Sequence, residues 1–285
     1  PEITPAVVTG ALTEGSGVYS QTGFVDYSDK DLSDRHSATI ITNHPDAISW
    51  SGGSLTDDQV SNLLAGWHVT PEVGNDNNGR FNWTYATNND LLDFLREGET
   101  ITLKGYLEVL DSHGGADREL LTLVITGTND TPVITNGDDI TSLIESNSSI
   151  ADSGVMDVTD LDLNDTVATS VLSVAITGGS FNSADVPIPN AQLQSLLTLT
   201  SDEALSALSA DEGVESSFTW TFDSETSFDF LAAGETLELT YTIQAQDDSP
   251  EIFAQDSDVT TSTVTVIVTG SNDSPDIQIV DVSGS

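Results

Sequence analysis

One octapeptide occurs twice. Ile125-Thr126-Gly127-Thr128-Asn129-Asp130-Thr131-Pro132 returns 143 residues later as Val268-Thr269-Gly270-Ser271-Asn272-Asp273-Ser274-Pro275. A long-period repeat means that one structural plan is used twice, which constrains the fold more than any single motif. Further pairs keep the same order. Phe81-Asn82-Trp83-Thr84-Tyr85 matches Phe218-Thr219-Trp220-Thr221-Phe222, and Asp93-Phe94-Leu95 with Gly98-Glu99-Thr100 matches Asp229-Phe230-Leu231 with Gly234-Glu235-Thr236. Asp29-Lys30-Asp31-Leu32-Ser33-Asp34 matches Asp160-Leu161-Asp162-Leu163-Asn164-Asp165, with Glu14 and Glu145 upstream. The division falls near Thr131, giving two domains, residues 1–131 and 132–285, each long enough to bury its own core.

Within each copy the apolar residues alternate, as in Leu237, Leu239, Tyr241, Ile243 and Ala245, and again in Val264, Val266 and Val268. A period of two is the pattern of a strand with one buried face. Short strands bounded by Gly, Asn, Asp and Ser predict an all-β chain of two tandem immunoglobulin-like, cadherin-like Greek-key sandwiches. Helical candidates at residues 57–64 and 190–197, and at 89–95 and 228–231, read as loop decorations. Trp83 and Trp220 occupy equivalent strand positions and read as core.

The chain has 47 acidic and 6 basic side chains, a formal net charge of −41. Phosphate backbones repel such a surface, so nucleic acid is excluded as a partner. Residues 132–285 carry 27 of the acids and no Lys, Arg or His at all. Only metal or water is left to compensate carboxylates that come together there. Cysteine is absent, which removes disulfides, thiol nucleophiles and thiolate zinc sites. No apolar run of about 18 residues is present, so no membrane insertion is expected. The opening residues lack a signal-peptide pattern, as expected of an internal segment or of a protein exported without an N-terminal signal.

Asp160-x-Asp162-x-x-Asp165 follows an apolar run at residues 155–158, so its carboxylates should emerge at a strand end, on one pole of a sandwich. Calcium takes six to eight oxygens, and Asp at alternate positions aims several of them at one point. Asp29, Asp31 and Asp34 repeat the spacing. A second acidic corner, at Asp111 in one copy and Asp247-Asp248 in the other, returns to the same pole. The segment between the copies adds Asn129 and Asp130. Two carboxylates about 4 Å apart repel by roughly 4 kcal/mol at an effective dielectric near 20. Ca²⁺ is therefore expected at the junction, and its loss should let the loops splay and the domains move independently. The competing reading is that these acids are solvated surface. Asn75-Asp76-Asn77-Asn78-Gly79 reads either as a further calcium loop or as a plain turn.

The Thr-Gly-Thr-Asn-Asp-Thr-Pro-Val ending at residues 126–133, preceded by a strand and an Asp-containing corner, resembles the VCBS and cadherin-like repeats of giant bacterial RTX adhesins. The resemblance covers both copies. It implies extracellular extender domains at the bacterial cell surface, exported by type I secretion and serving adhesion and biofilm formation, with interdomain calcium keeping a stalk rigid. Position by position it implies Asp160, Asp162 and Asp247 as ligands from the second domain, Asn129 and Asp130 from the linker and Glu14 from the first domain. Glu145 and Asp273 would face a further domain, in a site left incomplete. The copies are longer than a typical immunoglobulin-like domain, and the RTX nonapeptide is absent.

An enzyme needs a nucleophile, a base and an orienting group that meet. His36, His44, His68 and His113 lie at irregular spacing in the first copy, and the acidic pairs recur in both copies, which favours structure over a single active site. The expectation is a non-enzymatic, monomeric segment whose partners are neighbouring repeats of the same chain. The rival is a ligand-binding module in which Trp50 or Trp67 contacts carbohydrate or a host surface. A hydrolase is the third reading.

Overall fold

A computed structural model describes residues 1–15, 17–72, 77–201, 205–206, 216–224, 228–249 and 258–274. Two residues of the candidate turn at 75–79, Asn75 and Asp76, lie outside that set. The first half comprises β1 (Glu2–Val7), β2 (Thr9–Thr13), β3 (Val18–Ser28), β4 (His36–Ile41), β5 (Ile48–Trp50), α1 (Asp57–Leu64), β6 (Trp67–Pro71), β7 (Asn78–Asn88), β8 (Thr100–Asp111) and β9 (Ala116–Thr126). The second comprises β10 (Val133–Thr135), β11 (Asp139–Ile144), β12 (Ala151–Thr159), β13 (Thr166–Gly179), α2 (Asn190–Ser195), β14 (Leu197–Ser201), β15 (Leu205–Ser206), β16 (Ser216–Asp223), β17 (Thr236–Gln246) and β18 (Val259–Thr269).

The strands form two pairs of sheets with the same order in each half. One pair is β1-β3-β7-β6 and β2-β9-β8-β4, with β5 also on β8. The other is β10-β12-β16-β14 and β11-β18-β17-β13-β15. The first strand of each half is split between its two sheets, and its second part runs parallel to the last strand, β2 beside β9 and β11 beside β18. The chain is thus a tandem of immunoglobulin-like β-sandwiches.

The alternating residues supply the cores. Ile101, Leu103, Leu107 and Val109 on β8 and Leu237, Leu239, Tyr241 and Ile243 on β17 are fully buried. Each core centres on a tryptophan lying over a cross-strand glycine. Gly23 pairs with Trp83 and Gly154 with Trp220, and a Cβ at either glycine would fall within 2.6 Å of the indole. The indole nitrogens stay satisfied, Trp83 donating to the Val7 carbonyl at 2.7 Å and Trp220 to Asp139 Oδ2 at 3.0 Å.

α1 begins with a capping box, in which Gln59 N–H donates to Thr56 Oγ1 and Thr56 N–H to Gln59 Oε1. A buried tyrosine hydroxyl ties down each helix, Tyr85 donating to the Leu63 carbonyl and Tyr241 to the Leu193 carbonyl. The helical candidate at 89–95 is a single 3-10 turn, Asn89–Leu91, and the one at 228–231 is a turn closed by Leu231 N–H to the Phe228 carbonyl. Both carry buried leucines, which explains their helix-like apolar spacing. Among the described residues no helix is long and apolar enough to cross a membrane.

The halves differ between the third strand and the fourth. In the first half β4 and β5 are separated by a loop at 42–47, whereas β13 runs on through two register shifts along β17.

Candidate metal centre

The repeated octapeptide has a structural reason. Gly98 N–H donates to the Gly127 carbonyl at 3.1 Å and Gly127 N–H to the Glu99 carbonyl at 2.9 Å, and the second half repeats the exchange between Gly234, Gly270 and Glu235. Gly98 and Gly234 sit at φ 79° and 81°, where a side chain is strained. A Cβ on Gly127 would fall 2.4 Å from the Leu95 carbonyl oxygen. The ending and the Gly-Glu-Thr turn therefore recur together because they bond to each other, and the Asp-Phe-Leu turn recurs because its leucine lies close against the ending's glycine. They fix the path of Thr128, Asn129 and Asp130 as the chain leaves the first sandwich.

Glu14 follows β2 at this pole. Its N–H donates to the Thr126 carbonyl at 2.8 Å, and its Oε2 accepts the Thr128 N–H at 3.0 Å. Glu14, Asp93 and Asp130 each place a carboxylate oxygen within 4.8 Å of the others. From the second sandwich, the loop after β12 folds back through Asp162 N–H to Asp160 Oδ1 at 3.1 Å and Asp165 N–H to the Asp162 carbonyl at 3.2 Å. Asp162 Oδ2 accepts the Asp130 N–H at 2.7 Å, and Asp247 Oδ2 accepts the Asn129 amide at 3.2 Å. Asp130 is thus shared between two groups of carboxylates that start on different sandwiches.

Asp160, Asp162, Asp247 and Glu14 are all buried. Glu14 Oε1, Asp160 Oδ2 and Asp162 Oδ1 are buried oxygens with no donor. Burial first, and crowding by neighbouring carboxylates second, push Asp162 up to about 10, with Asp165 and Asp130 among the neighbours. Burial raises Glu14 to about 9 and Asp160 to about 7, again with Asp130 adding to the shift. Asp93 and Asp247 are shifted upward for the same leading reason. Buried polar atoms in native folds nearly always have partners. A convergent, all-oxygen set with donorless buried carboxylates matches what a hard divalent cation requires, as calcium does.

Asp165 stands apart. Its Oδ1 faces the Arg96 guanidinium and its Oδ2 accepts the Ser249 hydroxyl at 2.5 Å, so both oxygens have protein partners. Asp93 was not among the residues singled out from sequence, although its Asp-Phe-Leu segment recurs. Its counterpart Asp229 lies within 4.8 Å of Glu145 and Asp273 at the far pole, a group equivalent to Glu14, Asp93 and Asp130. There Glu145 Oε2 accepts the Ser271 N–H at 2.9 Å, and Glu145 Oε1 is buried without a donor.

Asp29, Asp31 and Asp34 form the same turn at the amino-terminal pole, with Asp31 N–H to Asp29 Oδ1 at 3.0 Å and Asp34 N–H to the Asp31 carbonyl at 3.2 Å. Their carboxylates lie within 4.8 Å of one another, as do those of Asp34 and Asp111 with His113, but Asp29 and Asp34 have side-chain partners here. His36 Nε2 lies 2.9 Å from Asp29 Oδ2, and His113 Nδ1 lies 2.9 Å from Asp34 Oδ1. Asp111 Oδ1 accepts the N–H groups of His113 and Gly115, each at 2.8 Å. Trp50 and Trp67 are packed inward. Trp67 is buried against Trp83 and Tyr85, while Trp50 meets Phe94 edge-on at 5.1 Å and donates Nε1 to Glu99 Oε2 at 2.8 Å.

No protein-family model and no curated protein matches this chain. Among solved structures, the titin domains Z1Z2 in complex with telethonin overlap it with a TM-score of 0.30 at 11% identity, over 91% of each chain. The sialic acid binding region of a Streptococcus sanguinis adhesin gives 0.28 at 10% identity, over 94% of this chain and 77% of that one. The human desmocollin-1 ectodomain gives 0.32 at 13% identity, over 93% of this chain but 41% of its own length. At these overlaps the fold assignment rests on the strand order itself.

Proposed function

We propose that the chain is a calcium-stiffened extender segment of a large secreted bacterial surface adhesin. It consists of two domains, residues 1–131 and 132–285, and acts as a rigid, monomeric, non-catalytic spacer in cell adhesion and biofilm formation. The observation that carries this reading is that carboxylates of the first sandwich gather around Asp130, whose N–H is bonded to Asp162 of the second, and that Glu14, Asp160 and Asp162 each bury an oxygen with no donor. Glu14, Asp93, Asn129, Asp130, Asp160, Asp162 and Asp247 would hold Ca²⁺, which neutralises their charge and fixes the angle between the domains. Asp29, Asp31, Asp34 and Asp111 at one end, and Glu145, Asp229 and Asp273 at the other, are the half-sites through which neighbouring repeats of the same chain would dock. Asp165, buried beside these residues, contributes through its pairing with Arg96. The residues resembling VCBS-type endings support an extracellular setting and type I secretion.

Thermal melting and small-angle scattering in excess EDTA, in millimolar CaCl₂ and in MgCl₂ test this. A rise in melting temperature and a narrower, better-defined particle specific to Ca²⁺ is the expected result. Identical behaviour in all three solutions would refute it.

A ligand-binding role has one observation in its favour: a groove of 930 Å³ lined by Asn43, His44, Pro45, Ile48, Val60 and Leu64, where the first half interrupts the strand that the second continues. Glycan-array binding lost on His44→Ala would support that reading.

A further inference from the structure

Beside the carboxylate group, the two sandwiches also touch through apolar, amide and arginine contacts. Leu163, from the loop after β12, packs against the core of the first sandwich, and its N–H donates to the Phe94 carbonyl at 3.2 Å. The next residue, Asn164, donates its amide to the Gly52 carbonyl at 3.2 Å and to Glu99 Oε1 at 2.6 Å. Glu99 is already in position, because its other oxygen accepts the Trp50 indole N–H and Trp50 rests on Phe94. Gly52 leaves no room to spare, since a Cβ there would lie 2.4 Å from both Glu99 carboxylate oxygens and 2.5 Å from the Asn164 amide nitrogen. Arg96 completes this side, pairing with Asp165 and with Asp248, whose Oδ1 is 3.2 Å from Nη2.

We infer that Trp50, Gly52, Phe94, Arg96 and Glu99 form a cation-independent docking surface for the loop tip made by Leu163 and Asn164. Removal of metal therefore leaves the domains hinged on this flank and not freely tethered. The chemistry is an apolar plug, an amide held between a carbonyl and a carboxylate, and an arginine shared by two carboxylates, none of which needs an ion. The surface is also particular to this junction. At the position equivalent to Arg96 the second half has Ala232, and at the positions equivalent to Leu163 and Asn164 the first half has Leu32 and Ser33. Leu32 is 79% exposed. The partner that fits is a neighbouring repeat whose acidic loop carries Leu-Asn between its second and third aspartates.

The inference uses the two-domain reading but not its calcium. Because the chain contains no cysteine, nitroxides at Ser54→Cys and Ser170→Cys report the spacing across this flank alone. In excess EDTA the otherwise unchanged protein should give one narrow distance distribution. Adding Gly52→Ala or Asn164→Ala should broaden the single peak, and Arg96→Ala with Leu163→Ser should abolish it, while far-ultraviolet dichroism shows both sandwiches still folded. A broad distribution in EDTA before any latch substitution overturns the inference. A narrow distribution unaffected by the latch variants does so as well. If CaCl₂ fails to restore a narrow peak in those variants, the calcium reading fails while the docking surface stands.

Discussion

The amino-terminal pole and the junction carry the same turn in opposite electrostatic states. At the pole, backbone N–H from Asp31 and then the His36 side chain hold Asp29 below the usual carboxylate range, and N–H groups of Gly115 and His113 do the same for Asp111. At the junction, Asp160, Asp162 and Asp247 are pushed upward, because burial strips their water and other carboxylates crowd them. The loop spacing is shared, so spacing alone does not create strain among the charges. What differs is the partners and the cover: the pole has His36 and His113, whereas the junction has Glu14, Asn129 and Asp130 from the preceding sandwich closing over the loop. An aspartate turn of this kind keeps its charge where histidines and backbone N–H groups serve it, and becomes a demand for a cation where another sandwich buries it among further carboxylates.

The sharpest way to break the comparison is to neutralise equivalent residues. Asp162→Asn should weaken Ca²⁺ binding by an order of magnitude or more, at about 1.4 kcal/mol per decade, as read by titration calorimetry. The same substitution should raise the melting temperature in EDTA, because it removes a carboxylate that is costly to bury. Asp31→Asn should leave both readings nearly unchanged, and equal effects at the two positions would contradict the role of the cover.

Acidity separates the two regions next. Glu14, Asp160 and Asp162 have folded values above the ordinary carboxylate range, so the stability they confer is complete below about pH 4. It is lost as pH climbs through about 7 for Asp160, 9 for Glu14 and 10 for Asp162. Calorimetry in EDTA should therefore show the melting temperature falling between pH 5 and pH 9. Asp29 and Asp111 are shifted the other way, and their contribution vanishes only on acidification below the ordinary range. In CaCl₂ the slope should reverse, since metal binding requires the deprotonated ligands.

A smaller contrast concerns the paired leucines. Leu163→Ser should destabilise the protein by about 1 kcal/mol in urea unfolding, and Leu32→Ser by close to nothing. Smallest in contrast is a matched control: Gly98→Ala and Gly234→Ala should each cost about 1 kcal/mol, since both need positive φ and neither lies in a cluster.

Much of this architecture was legible from the repeat. Alternation at residues 237–245 named the buried face of β17 residue by residue, and the matching tryptophans marked the two cores. The aspartates of the junction were also visible, because their spacing recurs in order. Three things were not. The split first strand was hidden, because nothing in residues 2–13 distinguishes a strand that changes sheets from one that does not. Asp93 passed as part of a helical turn, since its role depends on a carboxylate 37 residues later being folded beside it (130 − 93). Nothing in the sequence sets Arg96, Leu163 and Asn164 apart from other loop residues, and only their meeting across the junction gives them a function. Periodicity reports which face of a strand is buried; it carries no information about which loop tip lands on which shelf.

The parallel pairing of β2 with β9 and of β11 with β18 bears on how such a chain resists being stretched. In each sandwich the entering strand lies beside the departing one with five or six residues in register, Thr9 to Thr13 against Thr122 to Thr126, and Asp139 to Ile144 against Val264 to Thr269. Opposed tension at the two ends acts along these strands in contrary directions, so their hydrogen bonds are loaded in shear, all at once. An antiparallel hairpin pulled from its open end would yield one bond at a time. Each half therefore places a shear-loaded seam where the chain enters and leaves.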